Sequence, residues 1–277
     1  MIRRKSHKDS QRKQPQDVAE VPPRVLKKEK LHIESVLEKL TESCQDRGSR
    51  QRLMWLAQQS LSPKRPVREA AKAEMDLALW LVEVGFTVAF LPESKIPTAD
   101  LECYWGEDRV FVEVTVIVGQ RVLLKKGTFS HEQLDEDQEE WDDEKVLGRR
   151  IVARIAEKAR QLAAYCAPVL LAITVKNAEP VRGANKDHAQ VDLKRLVGVL
   201  VSTFPQVPQV SGVLLTLWDI QPAESMANIR LTNFHIMERP GQGNGAPRVR
   251  LLGWNPAAHY PMESAVIQVL PKALSEY

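Results

Sequence analysis

The chain has 277 residues, 43% of them apolar and 27% charged, with a net charge of +3. This composition is typical of a soluble globular protein and does not fit a disordered or fibrous one. No apolar run is long enough to cross a bilayer, and no apolar stretch follows the basic N-terminus as in a secretory signal, so we expect a cytoplasmic protein without a membrane partner. The three cysteines are far apart, which favours a reduced compartment.

Residues 1–30 form a basic tail that we predict to be disordered. The tail carries ten Lys or Arg and four Asp or Glu, and few of its side chains are apolar. Clustered basic side chains replace counterions on a phosphate backbone, so the tail favours an anionic partner. The alternative is a solvated tail that binds nothing.

Residues 31–65 have a helical pattern and are predicted to form an N-terminal helical extension. Ile33, Val36 and Leu40 fall on one stripe of a first helix. The segment Arg47–Ser49 interrupts the pattern, and a second helix then follows through Leu53.

Residues 66–220 alternate between helical and strand patterns. The order of the elements, αβββαβ followed by a further crossover, predicts an α/β fold with a central mixed β-sheet flanked by helices. A first helix runs to about Val84, and the later elements are strands over Phe86–Leu91, Ala99–Trp105 and Arg109–Val118, a helix over Leu147–Tyr165, a strand over Pro168–Val175, a helix over Val191–Phe204 and a strand over Ser211–Trp218.

Two further segments have no clear role. Residues 130–146 form an acidic insertion, because residues 132–144 alone hold nine Asp or Glu that repel one another. The insertion is either a solvated loop or a lid over a basic cleft. Residues 221–277 form a C-terminal extension with short strand-like pieces, and the glycine-rich run at 241–245 lacks the lysine and helix of a phosphate-binding loop.

Several carboxylates occupy positions that should face the core. Glu113 lies mid-strand among apolar neighbours, and Asp100 and Glu102 lie on one face of the preceding strand. If the two strands pair as a hairpin, these acids come close together. Glu74 lies within the apolar stripe of the first helix. Converging carboxylates repel one another unless they share a hard cation, so the pattern favours Mg²⁺ or Mn²⁺.

The helix after the hairpin offers polar and basic groups on one face. Arg154, Lys158 and Gln161 follow i, i+4, i+7 spacing. The plainer alternatives remain open. Glu113 could form a buried ion pair with Lys158 or Arg154, Glu102 could be an exposed hairpin charge, and Glu74 could lie at the rim of its helix.

These residues resemble the PD-(D/E)xK nuclease superfamily, also called restriction-endonuclease-like. The resemblance rests on Pro97–Glu102 followed by Val110–Thr115, and it covers residues 66–220. It implies a restriction-endonuclease-like core and a metal-dependent DNA endonuclease that hydrolyses phosphodiester bonds. RNA is not excluded as a substrate, and a homodimer is possible. Asp100 and Glu113 would be metal ligands, Glu74 an auxiliary ligand, and the ion Mg²⁺ or Mn²⁺.

One position departs from the family pattern. The family places a catalytic Lys two residues after the Glu, where this chain has Thr115. Lys158 from the following helix could replace it, which would make Asp100, Glu113 and Lys158 the catalytic set, with Glu102, Thr115, Arg154 and Gln161 as auxiliary residues. Otherwise the chain is an inactive, nucleic-acid-binding relative. A third reading is a protein-interaction module that uses the acidic insertion.

Overall fold

The computed structural model describes residues 23–44, 46–93, 98–118, 143–176, 189–218, 220–226, 231–239 and 247–276. Within these residues the chain is an α/β protein with six α-helices, a mixed seven-stranded sheet and a separate two-stranded sheet. The predicted α/β class and the predicted mixed sheet are therefore confirmed. In the same ranges, no helix combines the length and apolar composition needed to cross a membrane.

The elements follow the predicted order through the middle of the chain. Their bounds are α1 Pro23–Ser43, α2 Arg47–Gln59, α3 Arg65–Val84, β1 Thr87–Phe90, β2 Leu101–Trp105, β3 Asp108–Val118, α4 Asp143–Gln161, β4 Val169–Lys176, β5 Ala189–Val191, α5 Leu193–Thr203, β6 Gly212–Trp218, β7 Ile220–Pro222, β8 Phe234–Glu238, β9 Val249–Trp254 and α6 Ser264–Glu276.

The large sheet combines an antiparallel and a parallel half. Its strand order is β1-β2-β3-β4-β6-β9-β8. Strands β1, β2 and β3 form an antiparallel meander, whereas β3, β4 and β6 are parallel. Parallel neighbours need crossover connections, and helices α4 and α5 lie in those connections. Strands β9 and β8 then add antiparallel pairs beside β6.

Helices cover both faces of the sheet. One face packs against α1, α2, α3 and α6 through a single apolar cluster that includes Leu40, Leu53, Met75 and Leu270. The other face packs against α4 and α5 through a second cluster. Strand β4 lies between these layers and is almost entirely buried, which explains its nearly continuous apolar sequence.

The N-terminal helices differ in their bounds from the sequence prediction. The predicted interruption between the two helices is present, but it lies between Ser43 and Arg47, because Arg47–Ser49 form the first turn of α2. Asp46 precedes that turn and accepts a hydrogen bond from the Ser49 amide at 2.7 Å, so a side-chain cap begins the helix there. Helix α1 begins at Pro23, inside the segment predicted as tail, and proline is well suited to a first helical turn.

Three predicted features lie wholly or largely outside the described residues. They are residues 1–22 of the basic tail, residues 130–142 of the acidic insertion and the glycine-rich run at 241–245. Pro97 of the family motif lies outside them as well.

A buried serine ties the N-terminal helices to the sheet. The Ser49 hydroxyl accepts a hydrogen bond from the Phe90 amide at 2.7 Å and lies 3.5 Å from the Cys44 sulfur. Ser49 is 1% exposed, so no water can replace it as the acceptor for the strand amide. Helix α2 is thereby attached to β1 by a hydrogen bond as well as by apolar packing.

We expect Ser49→Ala to lower the free energy of unfolding by about 1–3 kcal/mol, because it leaves the buried Phe90 amide without an acceptor. Urea denaturation followed by circular dichroism measures the change. Ser202→Ala is the matched control, since its hydroxyl is exposed and donates only within its own helix. Equal effects of the two substitutions would show that the Ser49 hydroxyl does not hold α2 to β1.

Candidate metal centre

Strand β3 presents a carboxylate to the interior. Its alternation places Phe111, Glu113 and Thr115 on the face that α4 covers. Glu113 is 4% exposed and pairs in register with Leu171, a buried residue of β4. A charge at this position is costly unless it has a partner.

Asp100 lies beside Glu113, directly before the first residue of β2. Leu101 pairs with Val112 in the antiparallel hairpin, so Asp100 lies next to Glu113. The Asp100 amide donates to the Val112 carbonyl at 3.1 Å. Its Oδ2 accepts a hydrogen bond from the Val114 amide at 2.7 Å, which fixes the side chain over β3. One carboxylate oxygen of Asp100 is thus held by the backbone.

Both acids line a pocket of about 320 Å³ that opens between the β2–β3 hairpin and the C-terminal half of α4. The wall also includes polar and charged side chains from three other parts of the chain. The lining residues are Arg52, Leu91, Pro92, Glu93, Thr98, Ala99, Asp100, Glu113, Lys158 and Gln161. The predicted residues Asp100, Glu113, Lys158 and Gln161 are therefore brought together in one place.

A lysine from α4 pairs with the strand carboxylate. Lys158 Nζ lies 2.5 Å from Glu113 Oε1, and the lysine side chain is 18% exposed. Thr115 is buried on the same face of β3 but does not line the pocket. The positive charge next to Glu113 thus comes from the following helix and not from the strand.

Glu74 is joined to the pocket through an arginine. Its side chain is 8% exposed, and Oε2 lies 3.3 Å from an amino nitrogen of Arg52. Its other oxygen, Oε1, is buried and has no hydrogen-bond partner among the residues that the structure describes. Arg52 itself lines the pocket and forms a second ion pair, at 2.6 Å, with Glu93. Glu74 therefore keeps one oxygen available for a further cation or proton.

Besides Thr115, two more of the predicted auxiliary residues, Glu102 and Arg154, lie away from the pocket. Glu102 forms an ion pair with Arg109 at 2.5 Å and accepts a hydrogen bond from the Tyr104 hydroxyl at 2.8 Å. Arg154 forms an ion pair with Glu157 at 2.9 Å, one turn along its own helix. Each has a local partner, and neither contributes to the pocket wall.

The carboxyl groups of the site hold their protons more tightly than usual. Burial, and then the charge of Asp100, raise the pKa of Glu74 to about 8 and that of Glu113 to about 7. Burial also raises the pKa of Asp100, although the Val114 amide and Lys158 oppose this effect. Lys158 likewise lowers the pKa of Glu113 without cancelling the rise. Lys158 and Arg52 thus compensate the negative charges of the three acids only in part.

The donor groups fit a hard divalent cation held by few protein ligands. Among the described residues, no group of three or more His, Cys, Asp and Glu side chains is arranged to hold a metal ion. Mg²⁺, however, is usually bound by one or two carboxylates together with waters and substrate phosphates. Asp100 and Glu113 can supply two such carboxylates, and Oε1 of Glu74, which has no partner in the described part of the chain, marks a nearby deficit of positive charge.

Sequence reasoning missed Arg52 and Glu93. Arg52 directly precedes Leu53 in the buried stripe of α2, and a cation at the flank of an apolar stripe is a usable signal. Nothing in the local pattern, however, shows that α2 packs beside β1 and reaches the carboxylates.

No family model, no curated protein sequence and no solved structure matches this chain. Any functional assignment must therefore rest on the residues and geometry described above.

We expect the metal-free protein to lose stability as the pH rises from about 5 to about 8, by a few kcal/mol in total. The folded-state pKa values of Glu74 and Glu113 exceed the usual value of 4.5. The folded chain therefore binds more protons than the unfolded chain in this window, and its free energy of unfolding falls with pH. Urea denaturation in EDTA at several pH values measures the slope.

Glu74→Gln should flatten this slope because it removes one group that must ionise beside Asp100. Glu107→Gln, in the exposed turn between β2 and β3, is the control and should leave the slope unchanged. Millimolar Mg²⁺ should restore stability at pH 8 more than at pH 5, since it binds the ionised acids. A stability that rises from pH 5 to pH 8 would contradict the assignment of these groups.

Proposed function

We propose that this chain is a Mg²⁺-dependent nuclease with a restriction-endonuclease-like core, and that it hydrolyses phosphodiester bonds in DNA. The observation that carries the proposal is the convergence of Asp100, Glu113 and Lys158 on one open pocket. Two carboxylates and a lysine are the groups that this chemistry requires, and the raised carboxyl pKa values indicate a need for added positive charge.

The arrangement of the elements supports the proposal. Helix α3, the β1–β2–β3 meander, α4 and β4 follow the αβββαβ order that the family resemblance implies. Strand β4 lies parallel to β3, so α4 crosses over the face of the sheet that carries Glu113. This crossover explains how a helix that follows the hairpin can bring Lys158 to the carboxylates.

Each residue has a distinct part in the mechanism. Asp100, with Oδ2 fixed by the Val114 amide, and Glu113 would hold the ion. When bound there, Mg²⁺ would polarise a phosphoryl oxygen and lower the pKa of a coordinated water. The Lys158 ammonium, held 2.5 Å from Glu113, can donate to the attacking water or to the negative charge that develops on the phosphate. Glu113 must be ionised to act as a ligand, so its raised pKa in the metal-free protein should weaken binding of the ion at low pH.

Lys158 takes the place of the strand lysine found in the family. Thr115 is neutral and buried on β3, so it cannot stabilise negative charge as an ammonium can. Lys158 reaches the same carboxylate from α4, which favours a relocated lysine over a lost one. The ion pair also supports the second candidate, an inactive nucleic-acid-binding relative, because it already neutralises one oxygen of Glu113.

We expect Asp100→Asn and Glu113→Gln to reduce Mg²⁺-dependent plasmid cleavage by roughly a hundredfold or more, since each removes a carboxylate oxygen that the ion requires. Conversion of supercoiled to nicked and linear DNA measures the rate. Glu102→Gln is the control, because Glu102 is paired with Arg109 away from the pocket. Cleavage at wild-type rates by both variants would rule out Asp100 and Glu113 as ligands of the catalytic ion, and no cleavage by the wild type with Mg²⁺ or Mn²⁺ would favour the binding-only relative.

Lys158→Met should lower the cleavage rate at saturating DNA by roughly a hundredfold, because it removes a charge that acts on the transition state. Arg154→Met, one turn away on the same helix and paired with Glu157, should have little effect. Mn²⁺ binding measured by calorimetry should persist in Lys158→Met, since Asp100 and Glu113 remain. Unchanged cleavage by Lys158→Met would remove the lysine from the mechanism.

A further inference from the structure

Helix α2 contributes a cation to the pocket from outside the segment that resembles the nuclease family. Arg52 is 10% exposed, and its guanidinium carbon lies 4.3 Å from the centre of the Trp55 ring. One amino nitrogen lies 3.3 Å from buried Glu74 and the other 2.6 Å from Glu93. The guanidinium plane is therefore held by stacking and by two acids of very different exposure.

The two acids hold Arg52 with unequal strength. Glu74 is buried with the arginine, so that pair cannot separate without leaving a charge in the interior. The Glu93 side chain is 67% exposed. An exposed carboxylate gains little from an ion pair because water solvates it almost as well. Glu93 can therefore leave, while Glu74 and Trp55 keep the guanidinium in place.

We propose that Arg52 binds a phosphate of the nucleic-acid substrate, and that the Glu93 carboxylate occupies the phosphate position in the free protein. This inference rests on the proposed function in taking nucleic acid as the ligand. Carboxylate and phosphate both accept hydrogen bonds from a guanidinium edge, so one oxyanion can replace the other. Arg52 lines the same pocket as Asp100 and Glu113, so the bound phosphate lies at or next to the reacting one.

The charges of the pocket favour Arg52 over Lys158 for this contact. These two are the cations that line the pocket in the described part of the chain. Lys158 is held by buried Glu113 beside the proposed ion, where it serves the reacting phosphate, whereas Arg52 has one partner at the surface. Trp55, 40% exposed beside the guanidinium, adds an aromatic surface on which an unpaired base can stack.

The test is binding of a fluorescein-labelled oligonucleotide, measured by anisotropy with Ca²⁺ in place of Mg²⁺ to avoid cleavage. Arg52→Gln should weaken binding roughly tenfold or more, because a charge-assisted hydrogen bond to phosphate is lost. It should also reduce the slope of log Kd against log salt concentration by about the amount that one phosphate contact contributes. Glu93→Gln should tighten binding about threefold by removing the competing carboxylate.

The double variant Arg52→Gln/Glu93→Gln distinguishes replacement of Glu93 by phosphate from a general effect of removing a negative charge. If Glu93 competes with phosphate for Arg52, the gain from Glu93→Gln should vanish in the Arg52→Gln background. An equal gain in both backgrounds would overturn the proposal, as would wild-type affinity of Arg52→Gln. Arg47→Gln, exposed on the same helix, is the matched control and should bind as the wild type does.

A second variant controls for folding. Arg52→Gln leaves Glu74 buried without its cation, so Arg52→Gln/Glu74→Gln removes both charges and should recover the thermal stability. Binding should stay weak in this double variant, whereas recovered binding would show that Arg52 acts only on stability.

Because the assay needs no cleavage, an Arg52-dependent affinity with an inactive wild type would refute the nuclease alone. Cleavage with an Arg52-independent affinity would refute only the phosphate contact.

Discussion

The site depends on the compensation of two buried carboxyl groups, Glu74 and Glu113, and the partly buried Asp100 by two cations. Glu74, Asp100 and Glu113 come from three different elements, and burial raises the pKa of each. Lys158 and Arg52 supply the compensating charge from α4 and α2. An uncompensated charge in the interior costs far more than one at the surface. The helices that carry the two cations are therefore part of the site and not only its support.

Most of the α/β order could be predicted because it depends on local periodicity. The apolar runs of β4 and β6 and the helical stripes of α3, α4 and α5 are visible in the sequence. The short pair β5 and β7 was missed, since three-residue strands have no periodicity to detect. The position of β9 between β6 and β8 depends on pairing with distant strands, which local pattern does not encode.

Alternation identified the inward-facing acids but could not tell which of them meet. Asp100 and Glu102 share a face of the strand pair, yet Glu102 lies opposite Phe111 in register and pairs with Arg109. On α4, helical spacing placed Arg154 beside Lys158 but did not reveal its nearer partner Glu157. Arg52 was missed because α2 reaches the site only through tertiary packing. The side chains closest in space thus came from segments that sequence reasoning treated separately.

The placement of β9 has a consequence for any attempt to isolate residues 66–220. A fragment of residues 66–220 would keep the αβββαβ elements but lose the strand that pairs with β6 over Gly212–Leu217. The backbone of an apolar strand would then face solvent, and such open edges promote intermolecular pairing and aggregation. The same fragment would lose α1 and α2, which cover α3. The segment that can fold on its own is therefore expected to extend well beyond residues 66–220.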